Sequence, residues 1–332
     1  MEPTTPILLC SSSAYLPYLL VTVWSVLLSG SADGSYAFYI LHHDVDESRQ
    51  AWLKQQLSEW KNCAVTFVDV SPLPRKLGLA PPDWHGKETC FGLLSPELLP
   101  QLHRAVLLDC DLIVQRDVAE LYRTPLHGNA IAAAVDPDFI GQWYGGNSEY
   151  LRYYRKEVPI ANPDTYIQGG VAVLDLDELR RRFPFPFFLE KILEKKYHYD
   201  DQDFWNLYCA DEIAPLDLRW NVMHDNDRYR LNYVISLAPP ALLRQYLAAR
   251  RDPWIIHYAG NEKPWNVPTC DLGGEYWAVA EQTPIAAELR TLSGAYRPPV
   301  RRFSLLRAAY HRGRYLLQKQ QAKRRWPTEN SR

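Results

Sequence analysis

Short apolar segments alternate with helical patterns along the first half of this chain, and this alternation restricts its fold more than any other feature. The apolar segments are four to six residues long, the usual length of buried strands. Because strands that alternate with helices form parallel sheets covered on both faces, the pattern predicts an α/β fold. The predicted strands cover residues 7–10, 37–41, 65–70, 105–108, 131–135 and 171–174, and the first two predicted helices cover 16–29 and 47–60.

The second half is less regular, with predicted helices at 177–197, 202–209 and 239–250 and a further strand at 254–257. An Arg- and Pro-rich stretch at 296–302 ends the regular pattern. We therefore expect one α/β domain over residues 1–298 and a separate tail over 299–332.

Charge is unevenly distributed along the chain. Lys and Arg number 37 against 39 Asp and Glu, but residues 301–332 contain ten Lys or Arg and one acid. The tail therefore carries a net charge of +9 and the remainder −11. An acidic body argues against nucleic-acid binding, whereas the basic tail favours contact with an anionic surface.

Six cysteines are spread through the chain without a C-x-x-C pair, a pattern typical of reduced thiols in a cytosolic protein. The N-terminal residues lack the basic region of a secretory signal. The apolar stretch at 7–28 is interrupted by Ser, Tyr and Pro residues, so we expect no transmembrane helix.

Two carboxylates separated by one residue follow the predicted strand at 105–108. In an extended segment Asp109 and Asp111 would point to the same side, so both can reach one cation. Oxygen ligands of this type suit Mg²⁺ or Mn²⁺ with phosphate substrates. Taken alone, however, a D-x-D pair is more often a solvated strand end.

An imidazole, a glycine and a lysine follow the predicted strand at 254–257. His257 is a potential metal ligand, Gly260 allows a ligand to approach the backbone, and Lys263 suits a phosphate. A single histidine at a strand end is usually structural, but the neighbouring glycine and lysine favour a ligand site here.

Two further motifs lie between these segments. The sequence D-Q-D-x-x-N at 201–206 opens a predicted helix, where the acids are also explained as a helix cap. The sequence Q-G-G-V at 168–171 opens a buried strand, where two glycines permit a ligand near the backbone or form a plain turn.

In this order, the four motifs resemble those of glycosyltransferase family 8, retaining enzymes of the GT-A fold. The likeness is greatest to the bacterial lipopolysaccharide and lipooligosaccharide galactosyl- and glucosyltransferases, and it extends from residue 6 to the tail. It includes residues 275–290, which are similar to the closing helix of lipopolysaccharide members. The resemblance implies a GT-A, Rossmann-like, mainly parallel sheet. It also implies transfer of galactose or glucose from a UDP-sugar to a glycan acceptor, in particular a lipopolysaccharide core.

The resemblance also implies roles for individual residues. Asp109, Asp111 and His257 would bind Mn²⁺, or Mg²⁺, at the diphosphate of the donor. The implied donor-binding residues are Ser12, Tyr15, Asp109, Asp136, Gln168, Gly169, Gly170, Gly260 and Lys263. Tyr15 would lie against the uracil, and Lys263 would hold the phosphates. Asp201 and Gln202 are the implied catalytic residues, with Asp201 on sugar hydroxyls and the Gln202 side-chain oxygen near the anomeric carbon.

Breaking the anomeric bond produces an oxocarbenium-like centre and a UDP leaving group with additional negative charge. A divalent ion together with Lys263 would stabilise that departing charge. Because a carboxamide such as that of Gln202 is a poor nucleophile, we favour attack from the same face over a covalent intermediate.

Three positions differ from the pattern of the family. Ser12 stands where members usually have an Asp for the uracil, Gly92 where relatives often have an Arg that contacts the donor, and Gln168 where Asn is more common. The first two differences support one alternative, a nucleotide-sugar-binding protein without turnover. Another alternative is a metal-dependent phosphohydrolase with Asp109 as nucleophile, but that class does not use the segment at 257–263.

The tail combines apolar and basic residues in a helical pattern. Phe303, Leu306, Tyr310 and Leu317 can share one helix face, and basic residues supply the charge. Such segments attach to anionic membranes, although a solvated and partly disordered tail is the other interpretation. With the resemblance, the pattern predicts a peripheral protein on the cytoplasmic face of a bacterial inner membrane.

Overall fold

The computed structural model describes residues 4–76, 78, 84, 86–194, 197–295, 313 and 315–320, and these form an α/β fold. The strands are β1 (Thr5–Cys10), β2 (Tyr36–His42), β3 (Cys63–Asp69), β4 (Arg104–Leu108), β5 (Leu112–Val114), β6 (Ile131–Val135), β7 (Ile167–Asp175), β8 (Ile213–Pro215), β9 (Val222–Met223) and β10 (Ile255–His257). The helices up to the middle of the chain are α1 (Leu16–Ser29), α2 (Glu47–Gln56), α3 (Leu73–Lys76), α4 (Ser95–Leu98), α5 (Val118–Tyr122), α6 (Pro137–Gly145) and α7 (Ser148–Lys156). The later helices are α8 (Leu176–Arg182), α9 (Phe185–Glu194), α10 (Asp200–Tyr208), α11 (Pro240–Ala249), α12 (Gly273–Ala280) and α13 (Ala286–Ala295).

Seven strands form one sheet in the order β3-β2-β1-β4-β7-β6-β8. The pairs β1–β2, β1–β4, β2–β3 and β6–β8 are parallel. Only β7 runs antiparallel to its neighbours β4 and β6. The prediction of a mainly parallel sheet is therefore confirmed, and the reversed β7 places its first residues at the same edge as the carboxyl end of β4.

The core lies on both faces of this sheet. In β1, Ile7 and Leu9 belong to the apolar cluster that includes α1, whereas Leu8 belongs to the cluster on the opposite face. All three side chains are fully buried. Because successive strand residues point to opposite faces, a continuous apolar run is what a strand covered on both sides requires.

A second sheet of three strands, β5-β10-β9, joins distant parts of the chain. β10 pairs antiparallel with β5, with His257 opposite Leu112. Two buried hydroxyl groups on α1 serve the backbone of β5: Leu112 N donates to Thr22 Oγ1 at 3.2 Å, and Val114 N donates to Ser25 Oγ at 3.0 Å. This sheet brings residues 255–257 beside the strand that follows the D-x-D pair.

Two predicted helices are interrupted in the structure. The predicted helix at 177–197 divides into α8 and α9 at Phe183, whose ψ of 108° is extended. Phe183 precedes Pro184, and the residue before a proline is disfavoured in the helical region. The segment at 275–290, expected as one closing helix, likewise divides into α12 and α13, with Pro284 between them.

The predicted boundary at 298–299 and the tail residues Phe303, Leu306 and Tyr310 lie outside the described residues. Of the predicted tail, residues 313 and 315–320 are described, and they are helical. No helix in the described part of the chain combines the length and the apolar character needed to cross a membrane.

Candidate active site

A cleft of about 470 Å³ opens where β1 and β4 end and β7 begins. Ligands of open α/β sheets bind at this edge, because the loops that follow the strands converge there. The predicted site residues that line the cleft are Ser12, Tyr15, Asp109, Asp111, Gln168, Gly169, Gly170, Asp201, Gln202, His257, Gly260 and Lys263. Asp136 is not part of the lining, but it accepts a hydrogen bond from the lining residue Gln202. A larger cavity of about 690 Å³, beside Trp254, contains none of the predicted site residues.

The two carboxylates of the D-x-D pair and the imidazole of His257 converge in this cleft. One ligand atom from each of Asp109, Asp111 and His257 lies within 4.8 Å of the other two. Nε2 of His257 is 3.4 Å from Asp109 Oδ2 and 3.3 Å from Asp111 Oδ1. The pairing of β10 with β5 explains this proximity, since Tyr258 N donates to the backbone oxygen of Asp111 at 3.0 Å.

Glycine is required opposite this cluster. A Cβ atom on Gly170 would lie 2.4 Å from His257 Cε1 and 2.5 Å from Asp109 Oδ2. The antiparallel pairing of β4 with β7 holds Gly170 there, and Asp109 N donates to its carbonyl oxygen at 2.8 Å. A larger residue at position 170 would therefore displace the candidate ligands.

The electrostatics of the cluster favour positive charge at its centre. Burial alone would raise the pKa of the Asp111 carboxyl, but Lys263 and His257 outweigh it and hold that pKa well below its usual range. Burial likewise disfavours a charged His257, but Asp111 and Asp109 raise its pKa to about 9. Two carboxylates and one imidazole are a donor set that fits a divalent cation such as Mn²⁺ or Mg²⁺.

Lys263 lies at the edge of the same cluster. Its Nζ donates to Asp111 Oδ2 and, at 2.9 Å, to the backbone oxygen of Tyr258. Gly260 precedes it with a φ of +109°, and a Cβ atom there would lie 2.7 Å from Asn226 Oδ1. The backbone therefore turns in a way that only glycine adopts without strain.

Asn221 is a site residue that the sequence analysis missed. Its Oδ1 is 3.0 Å from His257 Nδ1, and its Nδ2 donates to Gln168 Oε1 at 2.5 Å. Gly170 N donates to the same oxygen at 2.8 Å. The amide oxygen accepts only from a protonated Nδ1, so Asn221 leaves Nε2 facing the carboxylates. A polar residue directly before the short strand β9 was the only signal for it.

The D-Q-D segment places Gln202 at the floor of the cleft. Gln202 Nε2 donates to Asp136 Oδ2 at 2.8 Å, and Gly169 N donates to Gln202 Oε1 at 3.3 Å. The other oxygen of Asp136 caps α6 by accepting from Asp138 N and Phe139 N. Burial and Asp138 raise the pKa of Asp136 to about 6. The orientation of the Gln202 amide is therefore determined from both sides.

The two acids of the D-Q-D motif have different surroundings. Asp201 lines the cleft, and burial, Asp109 and Asp200 raise its pKa well above the usual range. Asp203 is fully buried behind the cleft. It accepts hydrogen bonds from the hydroxyls of Tyr153, Tyr154 and Tyr166 and from the backbone N–H groups of His198 and Tyr199. Asp203 thus anchors the start of α10, a function that the sequence analysis did not assign.

The family model described as Glycosyl transferase family 8 matches residues 6–268. The chain belongs to this family. Among curated family relatives, General stress protein A of Bacillus subtilis (strain 168) is 26% identical over 189 residues, which are 55% of this chain and 60% of that protein. Glycosyltransferase GlyF of Streptococcus pneumoniae serotype 4 is 25% identical over 275 residues, which are 82% of this chain and 60% of that protein. The chain thus spans less than two thirds of the length of each.

Solved structures show the same fold. The apo structure of the WbbM bifunctional glycosyltransferase has a TM-score of 0.77 and 24% identity, and it covers 89% of this chain and 52% of that one. The galactosyltransferase LgtC in complex with donor and acceptor sugar analogues has a TM-score of 0.60 and 20% identity, and it covers 93% of this chain and all of that one. The expectation of a GT-A fold is therefore confirmed, and the cleft of this family 8 member contains a candidate metal site.

Ser12 and Gly92, two of the positions at which this family 8 chain differs from the expected pattern, have different surroundings. Ser12 and Tyr15 line one end of the cleft, where the Tyr15 ring packs edge-on against Tyr18 and Trp265. Gly92 is buried instead, and a Cβ atom there would lie 3.0 Å from a methyl group of Leu107. An arginine at position 92 would have to displace Leu107, so the glycine is matched to its packing.

Proposed function

We propose that this chain is a Mn²⁺-dependent, retaining hexosyltransferase that transfers galactose or glucose from a UDP-sugar to a glycan, in particular a lipopolysaccharide core. The observation that carries the proposal is the convergence of Asp109, Asp111 and His257 with Lys263 and Gln202 in one cleft. Membership of family 8 and the LgtC-like fold support it.

The donor would lie along the cleft with its diphosphate at the carboxylate–imidazole cluster. Asp109, Asp111 and His257 would hold Mn²⁺, or Mg²⁺, which when bound supplies positive charge to the departing diphosphate. Lys263, already within reach of Asp111, would move its ammonium group onto a phosphate oxygen. Ser12 and Tyr15, at one end of the cleft, would contact the uracil.

The sugar would then lie over Gly169, Gly170 and the D-Q-D segment. Asp201 would accept hydrogen bonds from its hydroxyls. Gln202 Oε1, oriented by Asp136 and Gly169, would stabilise the positive charge that develops at the anomeric carbon. Because an amide is a poor nucleophile, the acceptor hydroxyl would attack from the same face as the leaving diphosphate and configuration would be retained.

The basic tail would hold the protein on an anionic membrane, at the cytoplasmic face of the bacterial inner membrane. The described tail segment, residues 315–320, supports this. Its Tyr315 ring packs 4.9 Å from the ring of Tyr233, and Leu316 and Leu317 are 53% and 63% exposed. Exposed leucines beside basic residues provide apolar area and positive charge, the two features that peripheral attachment to an anionic membrane requires. We accordingly retain a catalytic domain at 1–298 and an attachment tail at 299–332 as part of the proposal.

Calorimetric titration with UDP, with and without Mn²⁺, tests the nucleotide site. We expect Mn²⁺ to tighten UDP binding in the wild-type chain and in His103→Ala, whose imidazole is on the surface, but not in His257→Ala. Equal UDP affinity with and without Mn²⁺ in the wild-type chain would contradict the metal assignment. Retained binding without hydrolysis or transfer of any UDP-hexose would instead favour a nucleotide-sugar-binding protein without turnover.

Retention of the anomeric configuration is tested by analysing the product of transfer. Incubation with a UDP-hexose and a soluble oligosaccharide acceptor, followed by NMR of the new glycosidic bond, reports the anomeric configuration. The α-configuration of an α-linked donor should persist in the product. An inverted product would contradict the roles proposed for Gln202 and Asp201.

A further inference from the structure

Arg230 is not part of the lining of the cleft, but its side chain connects two groups of residues that support the cleft. Its Nε donates to Asp138 Oδ2 at 2.7 Å, and its Nη1 donates to the carbonyl oxygen of His224 at 2.8 Å. The side chains of Arg230 and Asp138 are 11% and 18% exposed, so water screens this ion pair little. A guanidinium suits the position, because its planar fork of donors reaches two acceptors in fixed directions.

The two partners of this guanidinium lead to different halves of the candidate site. On one side, His224 N donates to the carbonyl oxygen of His257 at 2.9 Å. On the other side, Asp138 N donates to Asp136 Oδ1 at 2.8 Å, and Asp136 in turn accepts from Gln202 Nε2. The guanidinium therefore joins the strand that carries a candidate metal ligand to the carboxylate that orients the Gln202 amide.

The backbone that carries Arg230 is irregular. Residues 230–234 form a π-helical turn. Before this turn, Asp227 and Arg228 have φ values of 56° and 54°, in the left-handed region. Such conformations cost free energy in residues other than glycine and are often found at functional sites. Here they accompany the placement of the guanidinium between α6 and Gly260, where a Cβ atom would lie 3.2 Å from Nη2 of the arginine.

The loop at 260–263 is also held by contacts that do not involve the guanidinium. Asn226 Oδ1 accepts from Glu262 N at 3.0 Å, and Asp227 N donates to Glu262 Oε2 at 2.8 Å. These contacts would remain without the guanidinium, whereas Asp138 would lose its cationic partner. Replacement of the arginine should therefore alter the position of α6 more than that of the loop.

We infer that Arg230 is a positioning residue for the transfer reaction, which holds Asp136, and through it the Gln202 amide, in a fixed place relative to the loop at 260–263. The inference rests on the proposed function and deepens it. A misplacement of about 1 Å can lower turnover about a hundred-fold, so a contact that fixes the distance between the two halves of the site affects the rate. Binding of UDP, which would depend on the metal and on the loop, depends on this contact less.

The test measures kcat, KM and Mn²⁺-dependent UDP affinity in Arg230→Lys, Arg230→Gln and Asp138→Asn. Each variant should lower kcat about ten-fold or more and change UDP affinity less than about three-fold. Lysine presents its donors from one atom and glutamine has no charge, so neither replaces the separate Nε and Nη1 contacts. The double variant Arg230→Gln/Asp138→Asn should lose no more activity than the more impaired single variant, because both changes break the same contact.

The pH dependence of kcat separates positioning from a general loss of stability. Burial and Asp138 raise the pKa of Asp136, whereas Arg230 is among the groups that lower it. Tyr150 and Tyr199 also face Asp136, but burial raises their pKa values and they stay neutral. The acid limb of kcat should therefore move to higher pH in Arg230→Gln, move to lower pH in Asp138→Asn and stay in place in Arg230→Lys.

Arg181→Gln is the matched control, because Arg181 pairs with Glu178 on α8, which follows the end of β7 opposite to the cleft. It should keep the kcat and the pH profile of the wild type. Circular dichroism checks folding, and Arg230→Lys retains the charge if Arg230→Gln does not fold.

Wild-type kcat in Arg230→Lys and Asp138→Asn would overturn the inference. Acid limbs that move in the same direction in Arg230→Gln and Asp138→Asn would overturn it as well. In both cases the wild-type chain would still transfer the sugar. A wild-type chain that turns over no UDP-hexose would instead contradict the proposed function, and this role of Arg230 with it.

Discussion

Asn221 Oδ1 lies 3.0 Å from His257 Nδ1, and the opposite nitrogen of the same ring faces Asp109 and Asp111. This contact selects the tautomer and fixes the plane of the imidazole. Orienting groups of this kind contribute about ten- to hundred-fold to metal affinity. Asn221→Ala should therefore weaken Mn²⁺ binding about ten-fold while every candidate ligand remains. Mn²⁺ titration followed by electron paramagnetic resonance measures it. The control Asn129→Ala, which loses only a turn contact with Leu126, should bind as the wild type does.

Asp111 is the more buried carboxylate of the D-x-D pair, with contacts to both His257 and Lys263. Asp111→Asn should abolish Mn²⁺-dependent transfer, because it removes the negative charge that these cations and a bound metal share. The exposed Asp252→Asn variant should keep full activity. Transfer assays over a range of Mn²⁺ concentrations, with circular dichroism as a check of folding, measure the effect. Wild-type turnover in Asp111→Asn would refute the metal assignment.

Protonation of Asp136 should stabilise the folded chain. Its pKa in the folded chain is raised to about 6, above the usual value near 3.8. The folded state therefore keeps this proton at pH values where the unfolded chain has lost it. The contribution of Asp136 to stability is thus complete below about pH 4 and is lost as the pH rises through 6. Denaturation at pH 4 and at pH 7 measures how much the free energy of unfolding changes between these pH values. The part of that change due to Asp136, about 1–3 kcal/mol, should be present in the wild type and absent from Asp136→Asn.

Protonation of Asp136 should lower turnover, although it stabilises the folded chain. Ionised Asp136 accepts the hydrogen bond from Gln202 Nε2, and protonation below about pH 6 weakens that acceptor by removing its negative charge. We expect kcat of the wild type to fall on acidification through this range. Asn at position 136 should give a lower kcat with a weaker acid limb, since its amide group favours rotation of the Gln202 amide. An unaltered pH profile in Asp136→Asn would show that Asp136 does not orient Gln202.

Asp203 should contribute to stability. Replacement by Asn puts a donor group among three tyrosine hydroxyls and two backbone N–H groups that now donate to the carboxylate. Asp203→Asn should lower the free energy of unfolding by about 2–4 kcal/mol, whereas Tyr153→Phe, which removes one of these donors, should cost about 1 kcal/mol. Urea denaturation of both variants provides the comparison. A smaller loss in Asp203→Asn than in Tyr153→Phe would contradict the anchoring role.

The exposed leucines of the tail should contribute to membrane binding. Changing Leu316 and Leu317 together to Ser should reduce sedimentation with liposomes that contain phosphatidylglycerol, because it removes apolar area from a basic segment. Leu292→Ser changes a leucine on α13 that is 40% exposed and serves as the control. Equal sedimentation of the double variant and the wild type would refute this role of the tail.

Local patterns predicted many elements of the fold. The bounds expected for α1 and β6, 16–29 and 131–135, are those of the structure, because a mainly apolar segment of helical length defines the first and an uninterrupted apolar run defines the second. The predicted helix at 177–197 was wrong in continuing through Phe183 and Pro184. The residue before a proline is disfavoured in the helical conformation, so the helix ends there. The short strands β5, β8 and β9 were not predicted, since two or three residues carry no periodicity.

The amino-acid sequence by itself determined the alternation of strands and helices, the order of the four motifs and therefore the family, because these depend on residues close together in the chain. Only the tertiary structure decided what surrounds each motif. The pairing of β10 with β5 brings His257 to Asp111 across more than one hundred residues, and the same assembly sets Asn221 behind the imidazole and Asp136 behind Gln202. Hydrogen bonds between residues so distant along the chain leave no periodic signal in the sequence, since they form only when the sheets assemble.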